Sequence, residues 1–143
     1  MDIVIDTNVI VSGVINPDGF PAKILNMVIN GKLTINADSR IIDEYNRVLR
    51  SRKFSFPEAY IIPLLNYISS EFKPVLPDNP CQLALKDHSD RPFVEVSLYK
   101  DIPLITGNGK HFENIKNLRL YNPKEFILEK FSHSELLFFL LVA

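Results

Sequence analysis

The sequence has little of what exported and membrane-spanning proteins require. Cys81 is its only cysteine, so no disulfide can form within the chain, and a structural zinc site built mainly on thiolates is excluded. The longest apolar run, 136–143, has eight residues, whereas a membrane-spanning helix needs about 20. The N-terminus has neither the basic start nor the long apolar region of a secretory signal. We therefore expect a protein of the reducing cytoplasm with no membrane partner.

An excess of charge of either sign is also absent. The chain has 16 Lys and Arg against 17 Asp and Glu, a formal net charge of -1, so a surface that binds nucleic acid has to be a local patch. What the sequence does have is apolar residues. Of its 143 residues 46% are hydrophobic and 23% are charged, which is typical of one globular domain with its own core.

Short apolar segments alternate with segments of helical periodicity. The predicted strands are 3–5, 33–35, 103–106 and a further short candidate at 118–120. The predicted helices are 21–30, 40–50, 57–72 with Pro63 as a kink or break, 91–100, and a last one that begins at Asn122-Pro123. Thr7 and Asn8 are predicted to form a turn, 16–19 a loop, and 73–80 an extended connection. This order predicts a three-layer α/β/α sandwich with a mainly parallel sheet.

Polar side chains accompany the ends of the predicted strands. Asp6 follows the first strand, Glu44 lies in the helix after the second, and Asn108 follows the third. In parallel sheets ligands bind beyond the carboxyl ends of the strands, where the strand order reverses, so we expect these residues to share one rim. Asp87 and Asp90 precede the next helix, whose positive end favours nearby carboxylates, and they are placed to join that rim.

Carboxylates gathered at one rim repel one another. At about 4 Å each pair costs about 4 kcal/mol at an effective dielectric near 20, so either some of them bind protons or a cation neutralises them. Mg²⁺ or Mn²⁺ is the expected occupant, because both prefer oxygen ligands. Taken alone, each of these acids also has a structural explanation. A turn-forming role explains Asp6 as well as a role in the site does, and a helix-capping role does the same for Asp90. Glu44 is explained by pairing with Arg40 or Arg47 on its own helix.

The same residues occur in a recognisable arrangement. Its parts are Ile3-Val4-Ile5-Asp6-Thr7-Asn8, then Glu44, then Asp87-His88-Ser89-Asp90, then Leu104-Ile105-Thr106-Gly107-Asn108 with Lys110-His111-Phe112. The arrangement resembles the PIN-domain family from Met1 to about Leu128. The resemblance implies a PIN-like, Rossmann-like nuclease domain over 1–128, with 129–143 as an apolar tail or helix. It also implies Mg²⁺- or Mn²⁺-dependent cleavage of RNA, often by a toxin that is paired with a cognate antitoxin protein.

The resemblance also assigns roles to residues. By motif position, Asp6, Glu44 and Asp90 match the principal acidic residues of the family, which are catalytic and hold the metal. Asp87 matches an additional acid of some members. Asn108 stands where many members have an aspartate. Its amide oxygen still ligates a cation, but the site has one negative charge fewer, so weaker binding at one metal position is expected.

Two polar positions, Asn8 and Thr106, match family residues that accompany the first and last of these. For substrate contact we expect cations near the rim to hold phosphates rather than to read bases. These cations are Arg40, Arg47, Arg91 and Lys110. The predicted reaction is metal-assisted hydrolysis of a phosphodiester bond, which needs no covalent nucleophile from the protein.

Three other interpretations fit part of the pattern. A phosphatase of the haloacid-dehalogenase type also begins with a strand that ends in aspartate, but it needs a second aspartate two residues later, where this chain has Asn8. A response-regulator receiver domain needs adjacent acids after its first strand, which Asp6-Thr7 does not supply. The third is a catalytically silent PIN domain that binds RNA or a partner protein. The missing acid at Asn108 favours it, and the three acids that remain disfavour it.

The tail 131–143 lies outside the resemblance. Seven large apolar residues follow one another at 136–142. They predict either a terminal helix packed on the core or burial in a homodimer or under an antitoxin, because seven are too many for one exposed helix.

Overall fold

The structure, a computed structural model, describes residues 1–78, 85 and 87–142, with side chains up to 138. Within these residues five strands form one sheet, and every neighbouring pair is parallel. The strands are β1 (Asp2–Ile5), β2 (Thr34–Ala37), β3 (Lys73–Pro74), β4 (Leu104–Ile105) and β5 (Leu120–Tyr121). Their order across the sheet is β3-β2-β1-β4-β5.

Helices flank this sheet in the three-layer arrangement that the sequence predicts, so the predicted fold class is confirmed. The helices are α1 (Thr7–Ile15), α2 (Phe20–Ile29), α3 (Ser39–Leu49), α4 (Glu58–Glu71), α5 (Arg91–Lys100), α6 (Pro123–Lys130) and α7 (His133–Val142). Short 3₁₀ turns at His88–Asp90 and Gly109–Phe112 precede α5 and follow β4.

Strand β1 lies at the centre of the sheet and carries the buried core. Ile3, Val4 and Ile5 are fully buried, as expected for a parallel strand with both faces covered. The chain passes from β1 to β2 and β3 on one side and to β4 and β5 on the other. The strand order therefore reverses between β1 and β4, which fixes where a ligand cleft belongs.

Thr7 and Asn8 begin helix α1, where the sequence predicts a turn. The turn prediction is wrong because both residues lie in the first turn of α1, where the backbone N–H of Val9 donates to the Asp6 carbonyl at 3.0 Å. The residues 7–15 include five β-branched apolar side chains and no charge, so they lack the polar face by which a surface helix is recognised. Tertiary burial of Val9 and Ile10 overrides their weak helical propensity.

Two further segments differ in part from prediction. Of the predicted extended connection, Lys73 and Pro74 form β3 beside β2, while Pro80 lies outside the described residues, as does Cys81. Pro63 lies within α4 and does not end it.

The C-terminal helices carry exposed apolar side chains. Asn122 caps α6, because its Oδ1 accepts from the Glu125 N–H at 2.7 Å. Helix α6 ends at Lys130. The predicted domain boundary after residue 128 therefore falls in the last turn of this helix. In α7, Leu137 and Phe138 are 46% and 58% exposed. Across the part of the chain described, helices long and apolar enough to cross a membrane are absent.

Candidate functional site

A cleft of about 460 Å³ opens at the carboxyl ends of β1 and β4. It is lined by Asp6, Thr7, Asn8, Val11, Glu44, Arg47, Val48, Lys53, Phe54, Asp87, Ser89, Asp90, Asn108 and His111. The four predicted carboxylates, both predicted asparagines and one of the four predicted cations therefore face a single space. They come from segments that are far apart in the sequence.

Asp6 lies where β1 meets β4. Its backbone N–H donates to the Ile105 carbonyl at 2.9 Å, and its Oδ2 accepts from the Thr106 hydroxyl at 2.7 Å. Only 7% of Asp6 is exposed, and Thr106 is buried behind it. Thr106 therefore holds the carboxylate of Asp6 and stays away from the cleft surface.

Glu44 reaches the cleft from α3. Its Oε2 accepts a short hydrogen bond from the hydroxyl of Thr7 in α1. The next residue, Tyr45, is fully buried, and its hydroxyl donates to the Ile5 carbonyl at the end of β1. Two hydrogen bonds thus join α3 to the chain on either side of Asp6, which fixes the distance between the two carboxylates.

Asp87 and Asp90 belong to the 3₁₀ turn before α5. The Ser89 N–H donates to Asp87 Oδ1 at 2.9 Å, so Asp87 caps this turn. Asp90 Oδ2 lies 3.2 Å from Nδ1 of His111, which comes from the 3₁₀ turn after β4. The pair connects the two segments that close the cleft.

The two asparagines lie at the mouth of the same cleft. Asn8 Oδ1 accepts from the Gly107 N–H at 3.1 Å, which anchors the loop after β4 to α1. Asn108 donates its backbone N–H to the Thr106 hydroxyl at 3.0 Å, and the residue is exposed. Asn108 lines the cleft, at the position where the resemblance implies an aspartate in many family members.

The predicted cations are only partly brought together. Arg47 lines the cleft, whereas Arg40, Arg91 and Lys110 are not among the described residues that do so. Arg40 instead joins α3 to α5, because its guanidinium contacts Asp38 at 2.6 Å and Glu95 at 2.9 Å.

The sequence predicts no role at the site for several lining residues, although three of them lie within the motifs that carry the resemblance. They are Thr7, Lys53, Phe54, Ser89 and His111. Lys53 had a usable signal, since it ends a run of cations that begins at Arg47. Thr7 had none, because its role depends on the helix that starts there.

The electrostatics of the cleft show that its carboxylates interact. Burial raises the pKa of Asp6, and the charge of Asp90 raises it further, against the hydrogen bond from Thr106. Burial raises the pKa of Glu44 and of Asp90 as well, with additional contributions from neighbouring carboxylates. The pKa of Asp87 is lowered by its hydrogen bonds with Ser89. Three of the four carboxyl groups are therefore harder to ionise than in water.

These shifts predict a pH dependence of stability in the metal-free protein. A carboxyl group whose pKa is raised on folding binds more protons in the folded state, so the free energy of unfolding falls as the pH rises between the two pKa values. We expect the stabilising effect of Asp6→Asn, relative to wild type, to grow as the pH rises above about 4. Urea unfolding in EDTA at several pH values measures it. A difference that shrinks with rising pH would contradict the assignment.

The donor set fits a hard divalent cation. The carboxylates of Asp6, Glu44 and Asp90 and the amide oxygen of Asn108 offer oxygen ligands, which Mg²⁺ and Mn²⁺ prefer. Among the described residues no group of three or more His, Cys, Asp or Glu side chains is close enough to form a complete cage. Mg²⁺ does not require one, because it keeps several waters and is usually held by one or two carboxylates together with substrate phosphates.

Comparisons with known proteins agree with the fold. The family model of the PIN domain matches residues 2–110. An uncharacterized protein of Methanocaldococcus jannaschii, MJ1680, is 31% identical over 140 residues, which cover 89% of this chain and 90% of that protein. The crystal structure of VapBC2 from Rickettsia felis, bound to a DNA fragment from their promoter, is similar with a TM-score of 0.59. That match has 20% sequence identity and covers 85% of this chain and 98% of the other.

Proposed function

Since the chain belongs to the PIN-domain family, we propose that it is a divalent-metal-dependent endoribonuclease that hydrolyses phosphodiester bonds of RNA. The observation that carries the proposal is the convergence of Asp6, Glu44 and Asp90 on one cleft at the point where the strand order reverses. Perturbed carboxyl pKa values in a cleft are typical of functional sites.

In this proposal Asp6, Glu44 and Asp90 are the candidate ligands, with Asn108 as a neutral donor, and one or two of these carboxylates hold the cation directly while water and substrate phosphates complete its coordination. When bound, the cation lowers the pKa of a water molecule and offsets the charge that develops on the phosphate. The hydroxyl of Thr106 keeps Asp6 oriented through its hydrogen bond, and such supporting contacts tune the strength of a metal site.

Arg47 and His111 have supporting roles at the cleft, Arg47 toward the substrate and His111 toward the carboxylate of Asp90. Arg47, 72% exposed in its side chain and 3.8 Å from Glu44, attracts and holds a phosphate. His111 holds the carboxylate of Asp90 through the 3.2 Å contact between its Nδ1 and Asp90 Oδ2.

We further propose that the chain is the toxin of a toxin-antitoxin system. The similarity in fold to VapBC2 of Rickettsia felis supports this proposal. A cognate antitoxin protein is then the expected partner.

The alternative is a catalytically silent module that binds RNA or a partner protein. The neutral Asn108 at the cleft mouth favours it, because one negative charge is missing from the donor set. Such a module binds RNA in Mn²⁺ without cutting it, which separates the two functions.

Chelation tests the proposed reaction. Purified chain is incubated with end-labelled single-stranded RNA in Mn²⁺, in EDTA, and in EDTA followed by excess Mn²⁺, and the products are separated on a denaturing gel. We expect fragments in the first and third reactions and intact RNA in the second, because the carboxylates alone do not activate water. Cleavage that persists in EDTA defeats the proposal, and circular dichroism in EDTA shows whether the chain stays folded.

A further inference from the structure

The C-terminal end of α3 and the residues after it concentrate positive charge. Residues 47–53 contain four of the chain's 16 Lys and Arg, namely Arg47, Arg50, Arg52 and Lys53. No Asp or Glu occurs between Glu44 and Glu58. In a chain with a formal net charge of -1, this segment is the kind of local patch that a polyanion requires.

Two aromatic rings lie within the loop that follows α3, residues 50–57, whose first half belongs to this charged segment. The rings of Phe54 and Phe56 are stacked, with centroids 5.2 Å apart and planes inclined by 4°. Both side chains are half-buried and pack against the core. The ammonium group of Lys53 lies 5.5 Å from the centroid of the Phe54 ring.

The 50–57 loop has a defined shape. Ser55 has a φ of 50°, a left-handed conformation that non-glycine residues adopt only when their surroundings hold them there. Its hydroxyl donates to the Arg52 carbonyl at 2.9 Å, and the Phe54 N–H donates to the Ser51 carbonyl at 3.4 Å. A ring presented by such a loop loses little conformational freedom when it binds a ligand.

The loop meets the candidate active site. Lys53 and Phe54 line the cleft that also contains Asp6 and Glu44, whereas Phe56 is not among the described residues that line it. Cations beside an accessible aromatic ring are the combination by which proteins hold single-stranded nucleic acid, since phosphates pair with the cations and an unpaired base stacks on the ring. Bases within a duplex are already stacked and paired.

We propose that the 50–57 loop binds single-stranded nucleic acid at the entrance of the cleft, with Phe54 stacking on a base and Arg52 and Lys53 contacting phosphates. The inference rests on the proposed function and adds to it a contact surface and a preference for single strands. Stacking tolerates every base, so this contact confers little sequence preference.

Matched leucine variants test the stacking contact. Fluorescence anisotropy with a short labelled single-stranded RNA, in EDTA so that no metal-dependent cleavage occurs, gives the dissociation constant. We expect Phe54→Leu to weaken binding by about tenfold and Phe56→Leu to change it by less than about twofold, because both lose one ring of the same stack but only Phe54 faces the cleft. Thermal unfolding of both variants identifies any loss of folded protein.

Salt dependence tests the phosphate contacts. Replacing Arg52 and Lys53 together with Gln should reduce the slope of log K against log salt concentration by about 0.7 for each phosphate that the protein no longer neutralises. Lys116 and Lys124 are exposed and are not among the described residues that line the cleft. Replacing both with Gln makes the same change in net charge and should leave the slope unchanged. Phe54→Leu should also leave it unchanged, because stacking releases no counterions.

Three results overturn the inference: equal losses of affinity for Phe54→Leu and Phe56→Leu, equal affinity for single-stranded and duplex RNA, or equal salt slopes for the two double variants. Each is measured without metal, so it is independent of cleavage. If the wild type binds as expected but does not cut RNA in Mn²⁺, the proposed hydrolysis fails and the assignment of the loop stands. If it cuts RNA but the variants bind alike, the loop assignment fails and the hydrolysis stands.

Discussion

Replacing Asp6 with Asn is expected to reduce RNA cleavage in Mn²⁺ by at least about 100-fold while the protein stays folded. Asp6 is one of the two buried carboxylates of the cleft, and the amide of Asn preserves its size and still accepts the hydrogen bond from Thr106. The thermal midpoint should be unchanged or higher, because one of several mutually repelling charges is removed. Initial cleavage rates and thermal unfolding of the same preparations measure both effects.

Asp2→Asn is the matched control at the opposite end of β1. Asp2 is the first residue of β1 and pairs with Lys73 at 3.3 Å. Because it lies far from the carboxyl end of the strand, its replacement should leave the cleavage rate within about twofold. A large loss of stability in Asp6→Asn, with activity lost in proportion to unfolding, would instead give Asp6 a structural role.

Replacing Arg40 with Gln is expected to lower the free energy of unfolding by about 2 kcal/mol. The change removes the guanidinium that contacts two buried carboxylates, Asp38 and Glu95. Complete burial would make the loss larger, but the Arg40 side chain is 47% exposed, so water screens part of the effect. Urea unfolding should show a lower midpoint with the same slope.

Arg47→Gln provides the comparison on the same helix. Its side chain is 72% exposed and its distance to Glu44 is 3.8 Å, so its loss should change the free energy of unfolding by less than about 0.5 kcal/mol. If Arg40→Gln is as stable as Arg47→Gln but binds RNA more weakly, Arg40 contacts the substrate, as the sequence first indicated.

The parallel sheet was predictable because its signal is local. Residues 3–5 and 103–106 are short apolar runs that end in polar side chains, and this pattern locates both the strands and their carboxyl ends. Helix α1 was not predictable in this way. It is buried on several sides and has no polar face, so its sequence resembles a strand or an apolar loop as closely as a helix.

Some residues of the candidate site could likewise be located from the sequence, and others could not. Positions that follow strands, such as Asp6 and Asn108, are located by the sheet alone, and the structure places both at one cleft. The role of Arg40 could not be predicted from its charge. In the sequence, a cation that contacts a substrate looks the same as one that pairs with buried acids. Only the packing of α3 on α5 shows that Arg40 is of the second kind. Phe54 shows the converse, since its position in the cleft depends on the path of a loop.

The carboxylate of Asp6 and the hydroxyl that holds it are 100 residues apart along the chain, and β1 occupies the centre of the sheet although it is synthesised first. On a translating ribosome, β1 therefore has no neighbouring strand on the side away from β2 until β4 has been synthesised. Until residue 106 has emerged from the ribosome, the nascent chain has Asp6 and Glu44 but no Thr106 to orient Asp6. The complete site therefore forms only after β4 and Thr106 have been synthesised.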